Sequence, residues 1–158
     1  MVLPRTNIIM IGFDICCLLS LQSAVYENLV GLFNVNEVPN QIDCHKFAII
    51  HDSNHWAVIH NNLFNQIEVF DSLGSSSPVC NKLKSNQIIS RSFVFNTSQL
   101  QSDESSLCGQ FVIFYIIKRF FDDDICFSTF LNHYFSSNQK RNGEKAEKFI
   151  ENLKNGRL

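Results

Sequence analysis

Short apolar runs separated by polar connections dominate the middle of the chain and predict β-strands. Residues 46–50, 56–60 and 66–70 are rich in β-branched and aromatic side chains, which favour extended structure. Asn61 and Asn62 lie between the last two runs, and asparagine tolerates the backbone geometry of tight turns. We therefore expect the last two runs to form an antiparallel hairpin, preceded by a buried strand.

One long apolar stretch predicts a helix in the centre of the core. Residues 109–121 are apolar nearly all round, with Lys118 and Arg119 close to the end, as in a buried helix with cations near its C-terminus. The β-branched and aromatic content of this stretch would also suit a strand. Nearer the end of the chain, residues 144–154 are followed by Gly156 and predict an amphipathic helix with a C-cap. Its apolar face consists of Ala146, Phe149, Ile150 and Leu153.

Shorter patterns predict the remaining elements. Residues 81–89 are expected to form a short helix, and residues 92–96 alternate as in a further strand. Residues 122–124 are aspartates that can cap a helix reaching about Phe135. Residues 26–39 contain several asparagines and end in a proline, so we expect a loop there.

Residues 1–24 form the least readable segment of the chain. They are apolar but follow neither a 3.6-residue nor a two-residue period. We expect a poorly defined segment with a short helix that packs on a single domain formed by residues 25–158. The apolar run over residues 8–21 is interrupted by Gly12 and Asp14, so it makes a poor signal peptide and is too short to span a bilayer.

The composition fits one globular domain, and the net charge does not indicate a class of binding partner. The chain has 158 residues, of which 45% are hydrophobic and 15 are phenylalanine, enough for a substantial core. A formal charge of −2 gives no global reason to bind nucleic acid or an anionic membrane. The six cysteines are dispersed and form no CxxC pair, which favours a reducing compartment over a disulfide scaffold.

One cysteine lies in a context that favours reactivity. Cys108 precedes Gly109 where a polar loop meets the predicted central helix, so its sulfur would lie at a helix N-terminus. A helix dipole and a nearby imidazolium both favour the thiolate form of a cysteine. Gly109 would let a substrate backbone come close, because it has no side chain. The position predicts a nucleophile.

A base and an acid are expected at one edge of the predicted hairpin. His55 precedes its first strand and Asp71 follows its second, so antiparallel pairing brings them to the same end of the sheet. Asp71 would accept the distal N–H of the imidazole and leave the other ring nitrogen facing Cys108. Trp56 would shield the histidine from water and, with Gly109, line the substrate site.

A glutamine completes the predicted set. Gln101 lies seven residues before Cys108 and can place its amide N–H₂ beside the backbone N–H of Cys108, which would make a two-donor oxyanion hole. Gln99 is a competing choice for this role. These residue types together predict thiol-dependent acyl transfer, with no cofactor and no metal.

Other chemically capable residues receive structural interpretations. Glu68 is a rival to Asp71, but strand alternation is expected to point it toward solvent. His51 and His60 flank the same strand as His55 without facing Asp71, and Cys80 and Cys126 are expected to be buried or inert thiols. A zinc site built on Cys44-His45 has no repeated chelating spacing to support it.

The sequence contains four motifs in order, namely His55-Trp56, Phe70-Asp71-Ser72-Leu73-Gly74, Gln101 and Cys108-Gly109 followed by an apolar helix. These motifs in this order resemble the pattern of adenovirus-type cysteine proteases. The relatives with that pattern include the proteases of Polinton (Maverick) elements and other large DNA viruses and, more distantly, the SUMO proteases. Gln101 lies seven residues before Cys108, which resembles the adenovirus type. In SUMO proteases the glutamine usually lies six residues before the cysteine. The adenovirus enzyme resembles this pattern but has Glu at the position that corresponds to Asp71.

The resemblance implies a fold, a substrate class and a location. It implies an α+β fold with a small mixed sheet packed with helices and the nucleophile at the N-terminus of a buried central helix. The substrates would be capsid or other structural precursors encoded by a virus or transposon, cut after small residues such as Gly, within the host nucleus or virion. An activator peptide or DNA is a further partner of adenovirus-type enzymes, for which the basic residues near the C-terminus are a weak counterpart. No membrane partner is implied.

Two other functions use the same residues. A deSUMOylating or related isopeptidase would need the same histidine, acid, glutamine and cysteine, although the glutamine spacing argues against it. A catalytically inactive relative could serve as a binding or capsid-associated module. Acetyltransferases with a similar layout would need a cofactor pocket, which the sequence does not indicate.

Overall fold

A mixed β-sheet packed with helices forms the structure, a computed structural model that describes residues 10–86 and 93–158. Within those residues the chain forms five strands and six helices, which confirms the predicted α+β class. The strands are β1 (Leu29–Asn34), β2 (Phe47–Asp52), β3 (His55–Asn61), β4 (Ile67–Phe70) and β5 (Phe93–Phe95). The helices are α1 (Gly12–Leu19), α2 (Ser23–Tyr26), α3 (Pro78–Asn86), α4 (Cys108–Phe121), α5 (Phe127–Tyr134) and α6 (Gln139–Lys154).

The sheet has the order β1-β2-β3-β4-β5 and mixes both kinds of pairing. Strands β2, β3 and β4 are antiparallel, which confirms the predicted hairpin. The outer strands β1 and β5 each pair in parallel with their neighbour. Since β5 falls where an alternating pattern predicted a strand, that prediction is confirmed as well.

Helices cover both faces of the sheet. On one face, Val58 and Phe70 pack with α4, whose side chains from Phe111 to Ile117 form the centre of the larger core cluster. On the other face, Ala57 and Val69 pack with α3. Strands buried on both faces are expected to be rich in apolar residues, and residues 47–50 of β2 and 56–59 of β3 are apolar and buried.

Burial on both faces overturns the expectation that Glu68 faces solvent. Glu68 is fully buried in β4 and points to α4, where both carboxylate oxygens accept hydrogen bonds from the Arg119 guanidinium, at 3.0 and 2.5 Å. Tyr115 and Asn62 each donate one more, at 2.9 and 2.8 Å. The alternation that placed Glu68 opposite Val69 was correct, but the second face is a helix interface rather than a solvent surface.

The N-terminal segment, predicted to be poorly defined apart from a short helix, contributes to the core from residue 10 onward. Ile15 and Leu19 of α1 are fully buried and Val25 of α2 nearly so, which confirms the predicted N-terminal helix. Residues 10–24 are therefore part of the same core as the rest of the chain, whereas residues 1–9 lie outside the described residues. The loop expected over residues 26–39 is wrong in part, because β1 forms there and hydrogen-bonds to β2.

Three predicted helices have shifted bounds. Helix α3 starts at Pro78, three residues early, and its predicted end at residue 89 lies outside the described residues. Helix α5 starts only at Phe127, because Cys126 rather than an aspartate occupies the N-cap. Helix α6 starts five residues before the prediction, where the Asn138 side chain accepts from the Arg141 backbone N–H. None of the helices in the described part of the chain combines the length and the apolar character that a bilayer crossing requires.

Candidate functional site

Strand pairing brings His55 and Asp71 together. Val58 lies opposite Phe70, so Asp71 continues β4 opposite Ala57, and His55 is two residues further along β3 on the same face. Diagonal neighbours of this kind are within reach of each other's side chains. His55 Nε2 lies 2.6 Å from Asp71 Oδ1, and the Asp71 carboxylate is fully buried.

Several further donors hold the Asp71 carboxylate in place. The Leu73 backbone N–H donates to Oδ1 at 2.9 Å, and the Ser77 hydroxyl donates to Oδ2 at 2.5 Å. Cys80 Sγ is 3.7 Å from Oδ2. A carboxylate held on both oxygens is fixed in orientation, so it can in turn fix the ring of His55.

Cys108 approaches the histidine from the central helix. It is the first residue of α4 and is 5% exposed, with Sγ 3.7 Å from the Asn54 carbonyl oxygen. Cys108 lines a cavity of about 350 Å³ that is also lined by His55, Gln101 and Ser105. We call this space the Cys108 cavity.

The charge state of His55 follows from these neighbours. Burial by itself would lower the pKa of His55, but its hydrogen bonds with Asp71 and with Cys108 outweigh that effect and raise the pKa to about 9. The imidazole is therefore protonated at neutral pH. With Nε2 on Asp71, the ring nitrogen left for Cys108 is Nδ1.

The structure separates the two candidate glutamines. Gln101 is buried and lines the Cys108 cavity; its Oε1 accepts from the Ser72 hydroxyl at 2.5 Å and its Nε2 donates to the Ser105 carbonyl at 2.7 Å. Those two bonds fix the amide and use only one of its two N–H hydrogens. Gln99 instead spends its Nε2 on the Gln101 carbonyl and on Asp103, at 2.8 and 2.7 Å. Geometry thus favours Gln101 as the oxyanion donor.

A role of Gln101 as oxyanion donor in peptide cleavage predicts that Gln101→Ala lowers kcat by about 10²-fold, because one donor is lost. The matched control is Gln99→Ala, which removes an amide that does not line the Cys108 cavity and is expected to change kcat by less than about threefold. Steady-state kinetics on one peptide would compare the two variants. A larger loss in Gln99→Ala than in Gln101→Ala would reverse the assignment.

Trp56 and Gly109, predicted to line the substrate site, are not among the residues that line the Cys108 cavity. Adjacent residues of a strand point to opposite faces, so Trp56 faces the α4 side while His55 faces the α3 side. Its indole N–H donates to the Met10 carbonyl at 3.1 Å, and the side chain is 7% exposed. At Gly109, an added Cβ would lie 2.8 Å from Met10 Cβ. The N-terminal segment therefore covers both residues, and neither lines the Cys108 cavity.

The rival histidines lie away from the Asp71 carboxylate. His60 is fully buried against Phe47, with the ring centroids 4.0 Å apart, and burial lowers its pKa well below the usual range. His51 packs on Trp56, with the ring centroids 4.4 Å apart. His133, on α5, is exposed.

The two other thiols of interest differ from each other. Cys80 is buried, as predicted, and burial is the main reason that its pKa rises to about 12. Cys126, predicted to be buried or inert, is exposed at the N-cap of α5, where hydrogen bonds with the Ser128 and Thr129 hydroxyls lower its pKa to about 7. Cys126 is therefore an exposed thiol with a lowered pKa.

Some members of the site carry no recognisable sequence signal. Ser77 caps α3 by accepting the Cys80 backbone N–H at 3.1 Å while its hydroxyl donates to Asp71. The Asn96 side chain bonds both the backbone N–H and the carbonyl of Asp71, at 2.8 and 2.7 Å. Ser72, inside the quoted motif, could have been found, because its hydroxyl holds Gln101 and its carbonyl accepts the Leu100 and Gln101 N–H groups.

Among the described residues, no group of three or more histidine, cysteine or acidic side chains is placed to hold a metal ion. No protein-family model matches the chain, and no curated protein matches its sequence. The functional argument therefore rests on the residues themselves and on the arrangement of His55, Asp71, Gln101 and Cys108.

Proposed function

We propose that the protein is a cysteine endopeptidase in which Cys108 is the nucleophile and His55 its acid–base partner. The observation that carries the proposal is the place of His55, whose Nε2 is hydrogen-bonded to the buried Asp71 and which lines the same cavity as Cys108. An imidazole fixed between a carboxylate and a thiol is the arrangement that thiol proteases require. A structural histidine has no need of both partners.

The reaction follows from the geometry in two halves. Cys108 Sγ, as the thiolate, attacks the scissile carbonyl carbon, and the resulting oxyanion lies between the Gln101 amide and the Cys108 backbone N–H. The tetrahedral intermediate collapses when protonated His55 delivers its proton to the leaving amine, which yields a thioester on Cys108. Neutral His55 then takes a proton from water, the hydroxyl attacks the thioester, and the acid product leaves as the imidazolium–thiolate pair reforms.

The proposal extends to the adenovirus-type branch. Support comes from the order and spacing of His55, Asp71, Gln101 and Cys108, together with the mixed sheet and the helix that begins at the cysteine. The substrates proposed on that basis are structural precursors of a virus or a transposon, cut after small residues such as Gly in the host nucleus or in the virion.

Thiol labelling tests the nucleophile directly. We expect iodoacetamide to modify Cys108 about 10-fold faster than the exposed Cys44 near neutral pH, although Cys108 is nearly buried, because a neighbouring imidazolium favours its thiolate. The advantage should be lost as pH rises through about 9, where His55 loses its proton and ordinary thiols ionise as well. Mass spectrometry of peptides after timed quenching gives the rate at each cysteine.

This labelling needs a background in which Cys126 is serine, since Cys126 is exposed with a pKa of about 7 and will itself react. In that background His55→Ala is expected to slow the labelling of Cys108 and leave Cys44 unchanged. If Cys108 reacts no faster than Cys44, or if His55→Ala has no effect on its rate, the proposed mechanism is wrong.

A further inference from the structure

One buried hydroxyl in the wall of the Cys108 cavity has no hydrogen-bond partner in the described part of the chain. The Oγ atom of Ser106 is buried and unpartnered, and Ser106 lines the Cys108 cavity. Other residues with such atoms, for example His60 and Gln110, do not line that cavity. A buried hydroxyl without a partner destabilises a fold, and most buried polar groups are hydrogen-bonded. Packing alone therefore gives no reason for a hydroxyl at this position.

The preceding serine, in contrast, has a structural role. Ser105 Oγ accepts the Leu107 backbone N–H at 3.2 Å, and the Ser105 carbonyl accepts an N–H of the Gln101 side chain at 2.7 Å. These bonds shape the loop over residues 102–107, where no helix or strand forms. The hydroxyl of Ser106 takes no part in them, so it is held in the cavity wall and stays available to a ligand.

The position of Ser106 along the chain places it close to both proposed oxyanion donors. It follows the residue whose carbonyl fixes the Gln101 amide, and it lies two residues before Cys108. Consecutive Cα atoms are about 3.8 Å apart, so the Cα atoms of Ser106 and Cys108 are within about 8 Å of each other. Gln101, Ser106 and Cys108 line one cavity. The Ser106 hydroxyl is thus a third donor beside the Gln101 amide and the Cys108 backbone N–H.

We infer that the Ser106 hydroxyl donates a hydrogen bond to the oxyanion that forms during peptide cleavage. This inference rests on the proposed function. Attack of the Cys108 thiolate forms the C–S bond and moves the π electrons of the scissile carbonyl onto its oxygen, which accepts the hydrogen bond. Ser106 keeps its proton throughout. When the intermediate collapses, the carbonyl reforms and the C–N bond breaks as His55 protonates the leaving amine.

The missing partner of Ser106 is explained by this role. An oxyanion donor stabilises the transition state most when it is fixed in place before the substrate arrives, because no reorganisation is then needed. A donor already bonded to a protein acceptor would have to give up that bond during the reaction. The hydroxyl therefore gains its partner only where negative charge develops, which accelerates the chemical step.

Kinetics of Ser106→Ala test the donor. We expect kcat for a quenched fluorescent peptide to fall about 10-fold while KM changes by less than about twofold, because the bond is made in the transition state. The midpoint of thermal unfolding should not fall, since the removed hydroxyl has no partner to leave behind. A higher KM at unchanged kcat, or a lower kcat that accompanies a lower midpoint of unfolding, would contradict the inference.

Thiol labelling distinguishes an oxyanion donor from a group that activates Cys108. Iodoacetamide alkylates the sulfur with loss of iodide and forms no oxyanion. In the Cys126→Ser background, Ser106→Ala should therefore leave the labelling rate of Cys108 within about twofold of the parent, whereas His55→Ala should slow both labelling and cleavage. If Ser106→Ala slows labelling as much as it slows cleavage, the hydroxyl acts on the thiolate, and the inference is wrong.

The matched control is Ser102→Ala, in the same loop. Ser102 does not line the Cys108 cavity, and its hydroxyl accepts the Glu104 backbone N–H at 3.4 Å. We expect this variant to keep kcat within about twofold of the wild type. An active enzyme in which Ser106→Ala and Ser102→Ala have the same kcat refutes the inference alone. Absence of any cleavage by the wild-type chain refutes the proposed function and this inference with it.

Discussion

Cys108→Ala is expected to abolish peptide cleavage, with kcat/KM falling by about 10⁴-fold or more, because the covalent route disappears with the thiol. His55→Ala should cost a similar factor, since the two residues act as one unit and the losses of such a unit do not add. The double variant is therefore expected to be no slower than either single variant. Cleavage of one quenched fluorescent peptide, followed under single-turnover conditions, measures all three.

Asp71→Asn should behave differently from these two variants. The asparagine keeps the shape of the site but cannot accept from both His55 and its other donors, so the imidazole loses its fixed tautomer while thiol and base remain. We expect a large loss with measurable residual activity. The matched control for Cys108→Ala is Cys17→Ala, which removes an exposed thiol on α1. Full activity in Cys108→Ala or His55→Ala would refute the mechanism.

The local patterns predicted the strands that place the site. The two β-rich runs joined by asparagines predicted β3 and β4, and the ends of that hairpin predicted that His55 and Asp71 would meet. The apolar stretch after Cys108 predicted α4, because a helix buried on every side has few polar positions. Both predictions use the spacing of apolar residues and the position of a residue within one strand or helix. A single sequence contains that information.

Contacts between distant parts of the chain were not predictable in this way. Trp56 was assigned to the substrate site because it follows His55, but strand alternation turns it to the other face, where Met10 covers it. The exposed position of Cys126 depends on where α5 begins, and an N-cap is poorly fixed by composition. For Trp56 the decisive neighbour comes from a different element, whereas Cys126 contacts Ser128 and Thr129 at the start of its own helix.

Glu68 is the largest of these errors, and it has an energetic consequence. Its carboxylate and the Arg119 guanidinium are both fully buried between β4 and α4. A buried ion pair offsets most of its own desolvation cost, so its net contribution to stability can be small. Removing one partner is another matter, because the remaining charge stays in the core without compensation.

Arg119→Met is therefore expected to lower the free energy of unfolding by about 3–5 kcal/mol, and Glu68→Gln should also destabilise strongly. In the double variant Glu68→Leu with Arg119→Met the apolar side chains fill the space, and much of the loss should be recovered, although Asn62 and Tyr115 lose a shared acceptor. Urea denaturation of the four proteins gives the coupling energy. The exposed pair of Lys82 and Asp52, whose nitrogen and oxygen are 2.8 Å apart, is the control, since breaking a surface pair costs about 1 kcal/mol or less. If Arg119→Met lowers the free energy of unfolding no more than Lys82→Met does, the Glu68 carboxylate is not left as an uncompensated charge in the core. The interior around Glu68 must then admit water.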